Sequence, residues 1–153
     1  MKTIITFTML LISMISFAKE EPDFYLYTGA WSHHFEEHPA EKGGWRYNES
    51  HDLIGIEYEG WLVAYYKNSF NDDGAIVAKE FFQRSYGDFD LSAYAGAVYG
   101  YGSCSDPKSM PSENVKKKVC PFGTIAVAYT RYKVEPAILI VPEAIIATIR
   151  WGF

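Results

Sequence analysis

Counting back from the C-terminus, apolar side chains occupy every second position: Phe153, Trp151, Ile149, Ala147 and Ile145, with Gly152, Arg150 and Thr148 between. A period of two is the signature of a strand with one apolar face. The same alternation recurs upstream. Leu91, Ala93, Ala95, Ala97, Tyr99 and Tyr101 share one side of a strand, opposite Ser92, Tyr94, Gly96, Val98 and Gly100. Ile125, Val127 and Tyr129 likewise oppose Thr124, Ala126, Ala128 and Thr130. The pattern predicts eight strands, at about 24–33, 51–58, 61–69, 74–84, 89–101, 122–132, 134–140 and 144–153. Glu59-Gly60 forms a tight hairpin, and Asn71-Asp72-Asp73-Gly74 and Tyr86-Gly87-Asp88 are turn-rich breaks. No helix, internal repeat or low-complexity tract is apparent. The expected fold class is all-β, an eight-stranded antiparallel up-and-down barrel.

Connection lengths assign the two ends. His34 to Ser50 and Gly102 to Pro121 are long, and both are odd-numbered connections. Outer-membrane barrels keep both termini and the short turns on the periplasmic side and the longer loops outside. Two long loops on one end fit that arrangement. A terminal strand of about ten residues suits a tilted membrane-crossing strand, and ending on an aromatic resembles the closing strand of bacterial outer-membrane barrels. No stretch after residue 18 is apolar and long enough for a membrane helix, so a spanning structure has to be a closed barrel. The other reading is a soluble sandwich or lipocalin-like barrel. If the bulkier sets face lipid, small side chains line the interior and leave a narrow tube for one extended chain, unless Leu62 and Tyr66 of the third strand fill it.

Composition sharpens this picture. Met1-Lys2, the apolar run Thr3 to Phe17, and the small residues Ser16 and Ala18 read as a signal peptide over 1–18. No cysteine follows Ala18, which argues against a lipoprotein anchor. Residues 19–153 then form one domain. Losing Lys2 takes the net charge from −5 to about −6, and nothing suggests nucleic acid. The 12 Tyr, 10 Phe and 4 Trp suit a β protein or one with interfacial aromatic belts. Cys104 and Cys120 follow an export signal and are expected to be bridged. His33, His34, His38 and His51, with Glu36, Glu37, Glu41 and Glu49, are a zinc-like composition, but their spacing matches no regular site. No metal and no cofactor is expected.

Chemistry is best placed where two strands end. Ser32-His33-His34-Phe35 closes the first and Lys67-Asn68-Ser69 the third, both at the outer mouth by parity. A His beside a Ser is the minimal unit for activating a hydroxyl toward acyl chemistry. These residues belong to a spaced set: Trp31-Ser32-His33-His34-Phe35, Arg46-Tyr47-Asn48-Glu49, Lys67-Asn68-Ser69, Ala95-Gly96-Ala97-Val98, Cys120-Pro121-Phe122, Glu135-Pro136-Ala137, Val141-Pro142-Glu143 and Arg150-Trp151-Gly152-Phe153. In order and spacing the set resembles the lipid A palmitoyltransferases of the PagP type across most of the mature chain, though each motif is short.

The resemblance implies an outer-membrane enzyme of a Gram-negative bacterium, a monomer whose barrel holds one acyl chain. It would move a palmitoyl-like chain from a phospholipid to lipid A, its two lipid partners. By position Ser69 matches the family's essential Ser, Asn68 stands where the family has Asp, and His34 is chosen as the essential His with His33 as the alternative in register. His34 would then carry the proton, Ser69 bind or polarise the ester, and Asn68 position them. Three departures stand out. Asn68 supplies no carboxylate. Only Lys19 to Asp23 precede the first strand, so the family's N-terminal helix is missing. Thr28-Gly29-Ala30 replaces a first-strand proline, while Pro136 remains and removes a ladder hydrogen bond. The alternatives are a non-catalytic outer-membrane barrel, lipid-binding or structural, and a soluble periplasmic lipid-binding barrel.

Overall fold

A computed structural model describes residues 22–35, 47–104 and 116–153; the expected signal peptide lies outside them. Eight strands close into an antiparallel barrel, each paired to its neighbours in sequence: β1 Phe24–His34, β2 Ile54–Tyr58, β3 Trp61–Lys67, β4 Asp73–Tyr86, β5 Phe89–Tyr101, β6 Lys118–Tyr129, β7 Val134–Val141 and β8 Ala144–Gly152. The terminal strand closes the ring on β1, from Tyr25 opposite Gly152 to His34 opposite Ala144. Phe153 stacks on Phe24 at 5.1 Å beside this seam. Glu59 and Gly60 both adopt positive φ, the geometry of a two-residue hairpin whose twist matches its strands.

Up-and-down order puts the β1–β2, β3–β4, β5–β6 and β7–β8 connections at one end, here the mouth. The termini and the other three turns lie at the opposite end, the base. Ile54, Ile56, Val63, Val77, Ile125, Ile138, Ile140 and Ile145 project outward and exposed, so the wall is apolar all round.

The ladders slip register at three places, in β1, β4 and β5, and the slips in β1 and β5 decide which side chains enter the barrel near the mouth. In β1 the register slips between Thr28 and Ala30, with Gly29 at φ 63°. Tyr27 is buried below this slip, and Ala30 and Ser32 are buried above it, so the inward set changes from odd to even numbers. His33 is consequently left on the outer wall. In β5 a second slip at Gly100, φ 123°, separates Tyr99 from Tyr101. Strict alternation groups these two tyrosines; instead Tyr99 is exposed and Tyr101 packs inside against Tyr66, Val98 and Cys120. Only glycine fits there, because an added Cβ would meet Asp73 O and Gly74 Cα at 2.9 Å.

Strand limits differ from the expected ones for local reasons. The third strand stops at Lys67 because the Asn68 side chain takes over the turn, accepting from the Phe70 and Asp72 amides at 2.9 Å each. The second starts at Ile54, leaving Ser50 to Leu53 joined to β1 only by scattered bonds such as His51 N to Ala30 O. Strand six begins earlier, at Lys118, and includes Pro121. Its ladder with β7 covers only Ile125 to Ala128, so Pro121 lies on a free edge where its missing N–H costs nothing. Cys104 and Cys120 are bridged, as expected.

Inside, the two halves of the barrel differ. The expected small, weakly polar lining is present, with Ser92, Ala128, Thr130 and Ala137 buried toward the base, but charged and aromatic side chains occupy the space these leave. Toward the base the core is charged: Arg150 donates to Glu135 at 2.6 Å and to Asp90 at 3.3 Å, and stacks 4.2 Å over the Tyr25 ring. The Tyr27 hydroxyl donates to Glu57 at 2.6 Å, with Tyr94 against the same carboxylate at 3.1 Å. A matched buried network of this kind fills the base.

Candidate functional site

Above this network lies a cavity of about 440 Å³, within the usual range for a small-molecule site. Its body is largely apolar, with Leu62, Ala64, Ile76, Val98, Phe122 and Ile146 on the walls and Tyr27 at the bottom. Leu62 and Tyr66 do point inward, yet they narrow the tube without filling it. Near the β6–β7 seam the wall is thin. Residues 118–124 of β6 have no β7 partner, and the Thr124 hydroxyl donates to Ile140 O at 3.0 Å in place of a backbone bond. Pro136 stands just outside this short ladder, which begins at Ala137, and faces Ile149 of β8.

Polar side chains converge where the cavity opens. The even parity set by the Gly29 bulge points Ser32 and His34 into it. Ser69 arrives from the β3–β4 turn, and His34 Nε2 lies 2.9 Å from its hydroxyl. Tyr101 lines the same mouth and packs against the cluster that contains Tyr66. The Tyr47 ring stacks on His34 at 4.2 Å and 17°. His34 Nδ1 is buried without a hydrogen-bond partner among the described residues.

The fold brings β1 and β3 together here because β2 is short. Where β2 is absent, the segment Tyr47 to Leu53 bridges them: Asn48 N donates to Ser69 O at 2.8 Å and Ser32 N to Glu49 O at 2.9 Å. Within the same bridge His51 contacts both neighbours, Nδ1 to Lys67 O at 2.6 Å and Nε2 to Ser32 Oγ at 2.7 Å. Burial lowers its pKa from the ordinary value, opposed in part by the Lys67 carbonyl bond and by Asp52.

Of the four residues singled out in the sequence, His34 and Ser69 meet in a hydrogen bond. Asn68 is adjacent but fully buried and turned away, its amide donating to Gly100 O at 2.9 Å. His33 lies outside. The sequence pattern gave no sign of the pairing of His51 with Ser32, or of the inward turn of Tyr101. His51 stood out only among the histidines weighed as zinc ligands; Ser32 parallels it as the hydroxyl nearest the mouth end of β1, but no spacing rule links residues 32 and 51. Of that zinc-like group, His38, Glu36, Glu37 and Glu41 lie outside the described residues. Among the described residues no group of three or more His, Cys, Asp or Glu side chains is placed to hold a metal. No protein-family model matches the chain, and no curated protein matches it in sequence.

Proposed function

We propose that this chain is an outer-membrane acyltransferase that moves a palmitoyl-like chain from a phospholipid to lipid A. The observation that carries the reading is the cavity: a dead-ended apolar bore of about 440 Å³ with a His34–Ser69 hydrogen bond of 2.9 Å at its open end. An alkyl chain in the bore would leave its ester at the polar mouth, where an imidazole and a hydroxyl are already paired. His34 would move the proton, and Ser69 would hold the ester oxygen. The short β6–β7 ladder supports sideways access from the membrane.

The exposed wall supports the membrane setting. Ile54 is 57% exposed, Phe81 68% and Val119 68%. A contiguous apolar surface of this extent in water would invite aggregation, whereas in hydrocarbon it is the required surface. Trp61, Tyr58 and Phe89 cluster toward the base, and Trp31, Phe35 and Tyr99 toward the mouth, where two interfacial belts belong.

Mass spectrometry of lipid A from cells with and without the chain tests the reading. One added acyl mass, lost in Ser69→Ala, is expected. Unchanged lipid A from cells holding the folded barrel would leave the second reading, a non-catalytic lipid-binding barrel. One observation favours that second reading: Asn68 is committed to the turn and offers His34 no carboxylate from this position.

A further inference from the structure

Two serine–histidine contacts open on this cavity, and they are not equivalent. The base of an activated hydroxyl must present an unprotonated nitrogen to it, which requires the other nitrogen to carry the proton. For His51 the protein fixes this. Its Nδ1 lies 2.6 Å from the Lys67 carbonyl, which can only accept, so Nδ1 bears the hydrogen. Nε2 is then a lone pair aimed at Ser32 Oγ, 2.7 Å away, and the hydroxyl must be the donor. Nucleophile, base and orienting group are therefore complete as Ser32–His51–Lys67 O. His34 lacks the third member: its Nδ1 has no partner among the described residues, so nothing in them selects the tautomer facing Ser69. Both members of the first set are buried and line the cavity.

We propose that Ser32 is a covalent acyl nucleophile and His51 its general base, in a two-step transfer. This rests on the reading of the cavity as an acyl-ester site. In the first step Ser32 Oγ bonds to the ester carbonyl carbon as its proton passes to His51 Nε2. The bond from that carbon to the donor's alkoxy oxygen breaks, and His51 returns the proton to the departing alcohol. In the second, an acceptor hydroxyl gives its proton to His51 and attacks the acyl-serine. The C–Oγ bond breaks, and Ser32 Oγ recovers the proton. In this scheme the proton-moving role passes from His34 to His51, and His34 and Ser69 hold the ester or the acceptor. The competing explanation is that His51 only staples β1 to β3 where β2 is missing; a staple has no need of a reactive serine.

A long-chain alkyl fluorophosphonate separates the two. Attack by an activated serine forms an Oγ–P bond and expels fluoride, so the adduct is permanent and can be located by peptide mass spectrometry. With the mature chain folded in detergent, the expected adduct is on Ser32, absent after denaturation and absent in Ser32→Ala. His51→Ala should slow labelling by roughly 100-fold or more. An adduct on Ser69, no adduct on the folded protein, or unchanged labelling in His51→Ala would overturn the proposal. If His51→Ala fails to fold, by circular dichroism and by heat-dependent gel migration, the unaltered protein decides. Its labelling rate should fall on acidification as the imidazole protonates, and a flat profile overturns the base role. Labelling of Ser32 with unchanged lipid A would sink the lipid A reading and leave this one standing. Added acyl mass with the label on Ser69 would do the reverse.

Discussion

Replacing Asn68 by Asp looks like a repair, since it installs the carboxylate that the resembling enzymes carry, but the structure predicts damage. The side chain is fully buried, and its three hydrogen bonds fix the orientation of the amide: Oδ1 accepts from Phe70 N and Asp72 N, and Nδ2 donates to Gly100 O, each at 2.9 Å. A carboxylate keeps the first two bonds and strengthens them with its charge. It cannot make the third. Gly100 O is left without its donor, which costs about 1–3 kcal/mol, and an anionic oxygen is pressed against a carbonyl oxygen. Burying the charge adds a penalty of a few kcal/mol, partly offset by the two amides. The net expectation is about 2–3 kcal/mol of lost stability at pH 8. The sign of its pH dependence is fixed. Once protonated, the introduced carboxyl can donate to Gly100 O and imitate the amide, so its folded pKa is raised above the unfolded one. The deficit is therefore small below the unfolded pKa of about 4 and grows as pH rises through the folded value. Urea unfolding in detergent, followed by tryptophan fluorescence at pH 4 and pH 8, measures it. Equal stability of the two proteins at pH 8, or a deficit that widens toward acid, would refute the reasoning. A rise in acyl transfer would show that the side chain at this position is freer to turn toward His34 than the bonds of Asn68 allow.

Four further outcomes follow from the same geometry. Arg150→Met should cost about 3–5 kcal/mol in urea unfolding, because Glu135 and Asp90 lose their common cation inside the barrel. Replacing Cys104 and Cys120 by Ser should lower stability by about 3 kcal/mol on the loop-entropy model without changing the cell fraction in which the protein is recovered. Gly29→Ala should destabilise by about 1 kcal/mol or more, since φ is 63° and the new Cβ would meet the Trp31 ring at 3.1 Å; thermal unfolding reads this out. If Ser32 is labelled by the fluorophosphonate, its labelling rate should persist below pH 6.5 and fall only on further acidification, because burial lowers the His51 pKa in a setting shared with Asp52, His34, Tyr66 and Ser32.

The barrel was legible because its information is local. Alternation, a Glu-Gly hairpin and paired turns each act over a few residues, and eight such strands with short returns leave little choice but closure. What stayed hidden was the base. Arg150 sits among apolar neighbours in the terminal strand, and Asp90, Glu57 and Glu135 sit in three others, so each alone reads as an outward charge. Only the closed ring shows that one guanidinium answers a carboxylate on the neighbouring strand and a second across the lumen.

Side-chain facing near the mouth was legible only up to the bulges. Carried unbroken from Tyr27, alternation would point His33 inward and leave Ser32 and His34 outside; the slip at Gly29 reverses this. Gly100 does the same for Tyr101, and in both places a glycine at positive φ permits the extra residue. Sequence marks these glycines without saying which will bulge, because Gly96 and Gly123 lie in regular strand. A hydrogen bond between Ser32 and His51 depends on more than parity. It needs β2 to stop at Ile54, so that the preceding segment can fold across from β1 to β3 and set an imidazole between Lys67 O and Ser32. Where a strand is missing from the wall, the backbone groups it would have paired are open to a side chain. The absence of regular structure at this point therefore leaves the groups that orient His51.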